Sequence, residues 1–259
     1  MFKNIHTNIF LNLSFFVLLA TSSEAQNDEQ TGACAHCHLN WAIKPERHYE
    51  VKVGAELTIE CAASGNPGPE IVWYKNNVRI YNVSSDLDLL ATSSMTKGKL
   101  HFPIITRDDY GSYSCQVNNT FNHLRRDFVI SVKPRFGPDS RVEKYASKNV
   151  IYELAAKPNI QSWTHTTLAS IGSPVRLRCR TNAAPDSKIY WVDSDGVIIH
   201  KFKAYQKLKS GDLIVKNVTW SDIGSYFCIV KNIFGKDKVE SFLYPVDFVQ
   251  KTSFDGRSA

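Results

Sequence analysis

The sequence predicts an all-β protein built as two tandem sandwiches, and three observations carry that prediction. Cys179 and Cys228 lie 49 positions apart and bracket Trp191, the arrangement that pins two sheets face to face with an indole packed on the bridge. Tyr226 stands two residues before Cys228, behind Asp222 and Gly224, where a tyrosine hydroxyl ties a turn to the backbone ahead of a strand. The same constellation occurs earlier as Cys61, Trp73 and Cys115, with Asp109-Tyr110-Gly111-Ser112-Tyr113-Ser114 leading into the second cysteine. Gly54 and Gly172 each lie seven residues before the first cysteine of their set, so the chain is an internal repeat.

The spacing defines immunoglobulin-like sandwiches of the I-set type, with disulfides Cys61 to Cys115 and Cys179 to Cys228. Taken in order, residues 1–25 read as a cleaved signal peptide: Lys3 begins a basic stretch, Ile9 to Ala20 form an apolar core, and Ser23-Glu24-Ala25 supplies the small-residue site. No other stretch reaches the roughly 18 apolar residues that span a bilayer, so a secreted, extracellular protein without a transmembrane segment is expected. Six cysteines in such a chain read as disulfides rather than thiols.

Residues 26–46 form a polar leader holding Cys34-Ala35-His36-Cys37-His38. The CxxCH spacing fits haem attachment, but both methionines, Met1 and Met95, are elsewhere, and no second ligand pair stands at zinc-finger spacing. A local disulfide from Cys34 to Cys37, or pairing with another chain, is the simpler reading, and no cofactor or metal is expected.

The first domain spans 47–133. Leu57, Ile59 and Cys61, then Ile71 and Trp73, then Tyr113, Cys115 and Val117 alternate at period two, as half-buried strands do. Asn66-Pro67-Gly68-Pro69 is a turn, since its prolines cannot donate to a ladder. Residues 134–157 are a polar linker that still carries Phe136, Tyr145 and Tyr152. It is either a tether or a segment that packs between domains.

The second domain spans 158–247, followed by a polar tail at 248–259. Val175, Leu177 and Cys179 read as one strand, Ile189 and Trp191 as the next, and Asn232 to Lys236 as a hairpin turn displaying Phe234. From Lys201 to Lys209, strand spacing would put Lys201, Lys203, Tyr205, Lys207 and Lys209 on one face, with Phe202, Ala204 and Leu208 on the other. That stripe suits an anionic glycan or acidic partner, or else protects a strand edge. Asn82, Asn118 and Asn217 head N-x-S/T sequons and are expected to carry glycans.

Signatures of serine hydrolases, zinc proteases, phosphate loops and dinucleotide binding are absent, so no enzyme is expected. The net charge of +6 is compatible with nucleic acid, but secretion and disulfides oppose that partner.

Several second-domain segments go beyond the general fold. Lys157-Pro158, Leu177-Arg178-Cys179, Ser210-Gly211-Asp212-Leu213-Ile214, Trp220 to Tyr226, Lys231-Asn232, Gly235-Lys236-Asp237 and Phe242-Leu243-Tyr244-Pro245 resemble the secreted two-immunoglobulin proteins of invertebrates. That group includes the nematode zwei-Ig proteins and the insect neural/ectodermal development factor, a binder of insulin-like peptides. The resemblance implies recognition of an extracellular or cell-surface protein. It would act in the nervous system to keep axons and neurons in position, or alternatively sequester insulin-like peptides.

Overall fold

The computed structural model describes residues 37–80, 93–133, 157–182 and 187–247. The expected signal peptide, Cys34, Asn82, Tyr152 with the other linker aromatics, and the tail lie outside the described residues.

The first domain contributes β1 (His38–Ile43), β2 (His48–Lys52), β3 (Leu57–Asn66), β4 (Glu70–Lys75), β5 (Val78–Arg79), β6 (Ser93–Phe102), β7 (Gly111–Asn118) and β8 (His123–Lys133). One layer orders β1-β3-β6 and the other β2-β8-β7-β4-β5. The Cys61–Cys115 disulfide joins β3 to β7 across the layers, and Trp73 packs beside it at 1% exposure. Phe128 centres this core, with the rings of Tyr49, Trp73 and Tyr113 at 5.6, 6.2 and 5.6 Å. β1 corrects the reading of 26–46 as leader. Leu39 and Trp41 alternate inward against the core, and the strand pairs antiparallel with β3, so the sandwich begins at His38.

The second domain contributes β9 (Ile160–Ser170), β10 (Val175–Leu177), β11 (Cys179–Thr181), β12 (Lys188–Val192), β13 (Tyr205–Lys207), β14 (Leu213–Val215), β15 (Gly224–Asn232) and β16 (Gly235–Val246). Cys179 and Cys228 are bonded, and the Trp191 indole N–H donates to the Gly211 carbonyl at 2.8 Å. The strand expected through Val175, Leu177 and Cys179 is divided at Arg178. There the backbone N–H donates to Thr164 Oγ1 (2.9 Å) and the carbonyl accepts from Thr164 N (3.2 Å), so the chain leaves β14 and joins β9.

The repeat extends to its turns. Gly54 and Gly172 adopt φ of 84° and 83°, a left-handed conformation that favours glycine, and donate to Ile105 O and Val218 O at 2.8 Å each. Tyr113 and Tyr226 donate their hydroxyls to the carbonyls of Asp109 and Asp222 at 2.8 and 2.9 Å. Burial holds the Tyr226 hydroxyl well above the ordinary tyrosine range, so it remains a donor.

The two domains share a sheet. β6 pairs antiparallel with β9, matching Ser93 with Leu168 and Gly98 with Ser162, and the order runs β1-β3-β6-β9-β16-β15-β12. A bulge at Met95/Thr96 lets β9 change its other partner from β11 to β16 while β6 follows it throughout. Side chains opposite one another share a face, so Ser64, Met95, Thr166 and Phe242 lie on one side. The residues facing either core, Cys61 and Leu100 in one domain and Cys228 and Leu243 in the other, lie on the opposite side. Both sandwiches therefore place their second layer on the same side of the shared sheet.

Candidate binding face

With both second layers on one side, the other face of the shared sheet has no layer over it among the described residues. Six strand gaps make it about 30 Å wide, and strands of ten to twelve residues make it about 35 Å long. An apolar band crosses its centre. Leu168, Phe242 and Tyr244 are 38%, 37% and 43% exposed, and half-buried Met95 and Phe227 extend the band on either side. Large apolar side chains left uncovered in a row are more informative than scattered ones, because they mark where a partner removes area from water. The first domain's half of the face is polar, with Glu60, Ser64, Lys97, Lys99 and His101.

The face is braced where the two domains meet. The Lys99 ammonium crosses the domain boundary to Asp237 Oδ2 at 2.8 Å, and Asp237 also accepts from Ile160 N at 2.7 Å. Arg178 reaches from the second domain to the carbonyls of Gly68 and Pro69 at 3.3 and 2.6 Å. Arg176, Arg178 and Arg180 alternate on the side of β10 and β11 turned away from their own core, yet they are only 8%, 6% and 7% exposed. Asp212, fully buried, receives Arg176 Nε and NH2 at 2.8 and 2.7 Å, Arg180 NH2 at 3.2 Å and the Cys179 N–H at 3.0 Å.

His101 and His165 lie on the two strands that join the domains and His200 lies beside Trp191 in the second domain; burial lowers the pKa of each. His165 is lowered further by Lys97, with Glu240 opposing; His101 is offset mainly by Glu56; His200, whose Nδ1 accepts from Trp191 N, is lowered further by Lys207 and Lys201. In the unfolded chain these rings bind protons near pH 6.5, whereas the folded protein resists protonation until lower pH. The stability they contribute is complete above about pH 6.5 and is lost as pH falls through the folded values. Denaturant midpoints should therefore be lower at pH 5 than at pH 7.5. His101→Gln with His165→Gln should reduce that difference, and an unchanged pH dependence would refute the assignment.

The residues expected as binders do not form one surface. Lys201 ends a 3-10 turn at Ile199–Lys201, Lys203 lies in the following bend, β13 holds only Tyr205–Lys207, and Lys209 follows it. The strand face expected from Lys201 to Lys209 is absent because Ile199 is drawn into the core, at 3% exposure, and curls the chain before β13. Tyr205 then packs inward, its ring 6.2 Å from Tyr226, while Phe202 is 53% exposed. Phe234 is exposed at the tip of the two-residue β15–β16 turn, where the Asn232 side chain accepts from its N–H at 2.9 Å. Asn118 is half-buried at the end of β7, and Asn217 is exposed. Cys37 is disulfide-bonded, which removes the thiolate a haem or zinc site there would need, and its partner lies outside the described residues. Sequence reasoning overlooked the apolar face, although Phe242 and Tyr244 alternate and Leu168 directly follows the polar run Thr164 to Thr167.

A double sandwich stiffened by its own shared sheet, with an open apolar band, has the build of an immunoglobulin-type recognition protein. The immunoglobulin domain family matches residues 42–119 and 157–232, and the chain belongs to that family. It is similar to the Zwei Ig domain protein zig-2 of Caenorhabditis elegans, 26% identical over 242 residues, covering 89% of this chain and 95% of that protein. It is also similar to the Neural/ectodermal development factor IMP-L2 of Drosophila melanogaster, 28% identical over 217 residues, 80% of this chain and 77% of that one. The crystal structure of neural ectodermal development factor IMP-L2 shares the fold, with a TM-score of 0.60 and 22% identity, covering 81% of this chain and 95% of the other.

Proposed function

We propose that the chain is a secreted binding protein that captures a peptide of the insulin-like class on the open face of the shared sheet, lowering its free concentration. The observation that carries this reading is the exposed band of Leu168, Phe242 and Tyr244 on the face of the shared sheet that no layer covers among the described residues. A stable interface buries about 800 Å² per partner, which a face of about 30 by 35 Å accommodates. Because the β6–β9 ladder and Arg178 fix the domains to each other, capture carries no cost for ordering one domain against the other. The similarity to neural/ectodermal development factor supports the ligand class, and the two disulfides fit an oxidising, extracellular setting. A second reading, action outside cells to keep axons and neurons in position, is supported by the similarity to zig-2 over 95% of its length.

Titration of the purified chain with an insulin-like peptide should give saturable binding below micromolar concentration. Phe242→Asp with Leu168→Asp, both at exposed positions, should weaken it by roughly thirtyfold or more, since losing buried apolar anchors costs about 2 kcal/mol or more. No binding at micromolar peptide would refute capture and leave the neuronal reading.

A further inference from the structure

Beyond peptide capture, the shared sheet carries a second feature at the other end of the same face. Lys188 on β12 pairs with Lys231 on β15, which pairs with Lys236 on β16, so three lysines stand directly opposite one another on three adjacent strands. Lys238 lies two residues along β16 on the same face, its ammonium 3.8 Å from the centre of the Phe227 ring. All four are exposed, and none has an ion pair among the described residues. The nearest carboxylates in register are engaged elsewhere: Asp237 with Lys99 and Ile160 N, and Glu240 with Ser225. Like charges directly opposite across strands destabilise a sheet, and placing three in a row compounds that cost. A cationic row without counter-charge is what an anionic ligand would neutralise.

We infer that Lys188, Lys231, Lys236 and Lys238 form a docking site for a sulfated glycan chain. Neighbouring strands set the three lysine stems about 4.8 Å apart, and Lys238 adds a fourth about 7 Å along β16. The result is a flat, regularly spaced cationic strip, suited to an extended polymer whose anionic groups recur along its length. The flanking Tyr190 and Ile229 are half-buried, whereas all four lysines are exposed, Lys238 lying across the Phe227 ring. Binding of this kind releases counterions and weakens steeply with salt. It would hold a secreted protein near cell surfaces while the apolar band remained open to its own ligand. The lysines of 201–209 lack this alignment, and Lys207 already donates to Ile189 O at 2.9 Å.

Heparin-affinity chromatography of the full chain tests the inference. The native protein should be retained at about 0.15 M salt. Changing Lys188, Lys231, Lys236 and Lys238 to Ser should at least halve the eluting salt, whereas Lys201→Ser, Lys203→Ser and Lys209→Ser together should leave it nearly unchanged. Lys231→Ser alone, at the centre of the row, should lower it measurably. The quadruple variant should melt no lower than the native protein, because opposed like charges have been removed, and the Lys188→Ser, Lys231→Ser, Lys236→Ser variant, which keeps Lys238 over Phe227, should bind insulin-like peptide within twofold of the native chain. Free heparin should displace the native chain, and polyglutamate at equal charge should not. Flow-through of the native protein, equal losses in the two lysine sets, no shift for Lys231→Ser, or equal displacement by polyglutamate would each overturn the assignment.

Discussion

Asp212→Ala should destabilise the protein by roughly 3–5 kcal/mol, the cost of breaking a buried ion pair by removing one partner. The carboxylate is fully buried and accepts from two guanidinium groups and the Cys179 N–H, so its loss removes the counter-charge shared by buried Arg176 and Arg180 and leaves an unpaired backbone donor. Against the 5–15 kcal/mol typical of whole domains, this is enough to shift a large fraction of molecules to the unfolded state. Asp212→Asn retains an acceptor for Cys179 and should fall between the native protein and the alanine variant. Urea denaturation followed by tryptophan fluorescence measures both, and a loss under about 1 kcal/mol for Asp212→Ala would mean that the arginines find water.

Removing the first-domain disulfide by Cys61→Ala with Cys115→Ala should cost about 4 kcal/mol on the chain-entropy account of a loop of this length. The effect should not stay within the first domain. β6 pairs with β3 inside its own sandwich and with β9 across the boundary, so unfolding the first domain strips β9 of a neighbour and leaves Arg178 without the Gly68 and Pro69 carbonyls. Calorimetry should show one transition moved to lower temperature. Two separate transitions, with the second domain melting as in the native protein, would contradict the coupling.

The sandwiches themselves were legible in the sequence because their determinants are local in chemistry. Two cysteines, a tryptophan and a tyrosine at set distances admit few arrangements, and the repeated Gly54 and Gly172 turns follow the same logic. The shared sheet was not legible. β6 and β9 are rich in Ser, Thr and Lys, a composition that reads as an edge facing water, and nothing local distinguishes an edge that meets another domain. The Arg176, Arg178 and Arg180 alternation likewise reads as a solvated face until the neighbouring layer covers it. The Lys201–Lys209 stripe failed for the opposite reason. Its period-two pattern was real, but Ile199, just upstream, found a place in the core and bent the chain out of strand geometry.

The β6–β9 ladder has a further consequence for how the chain can be divided. Each of these strands, ten and eleven residues long, would present an open row of backbone donors and acceptors if its partner were taken away. Either half released alone would be a template for uncontrolled strand addition, and the fusion hides both edges in a single act. The two repeats are thus obligate companions, and the uncovered sheet face on which recognition is proposed exists only as their joint product.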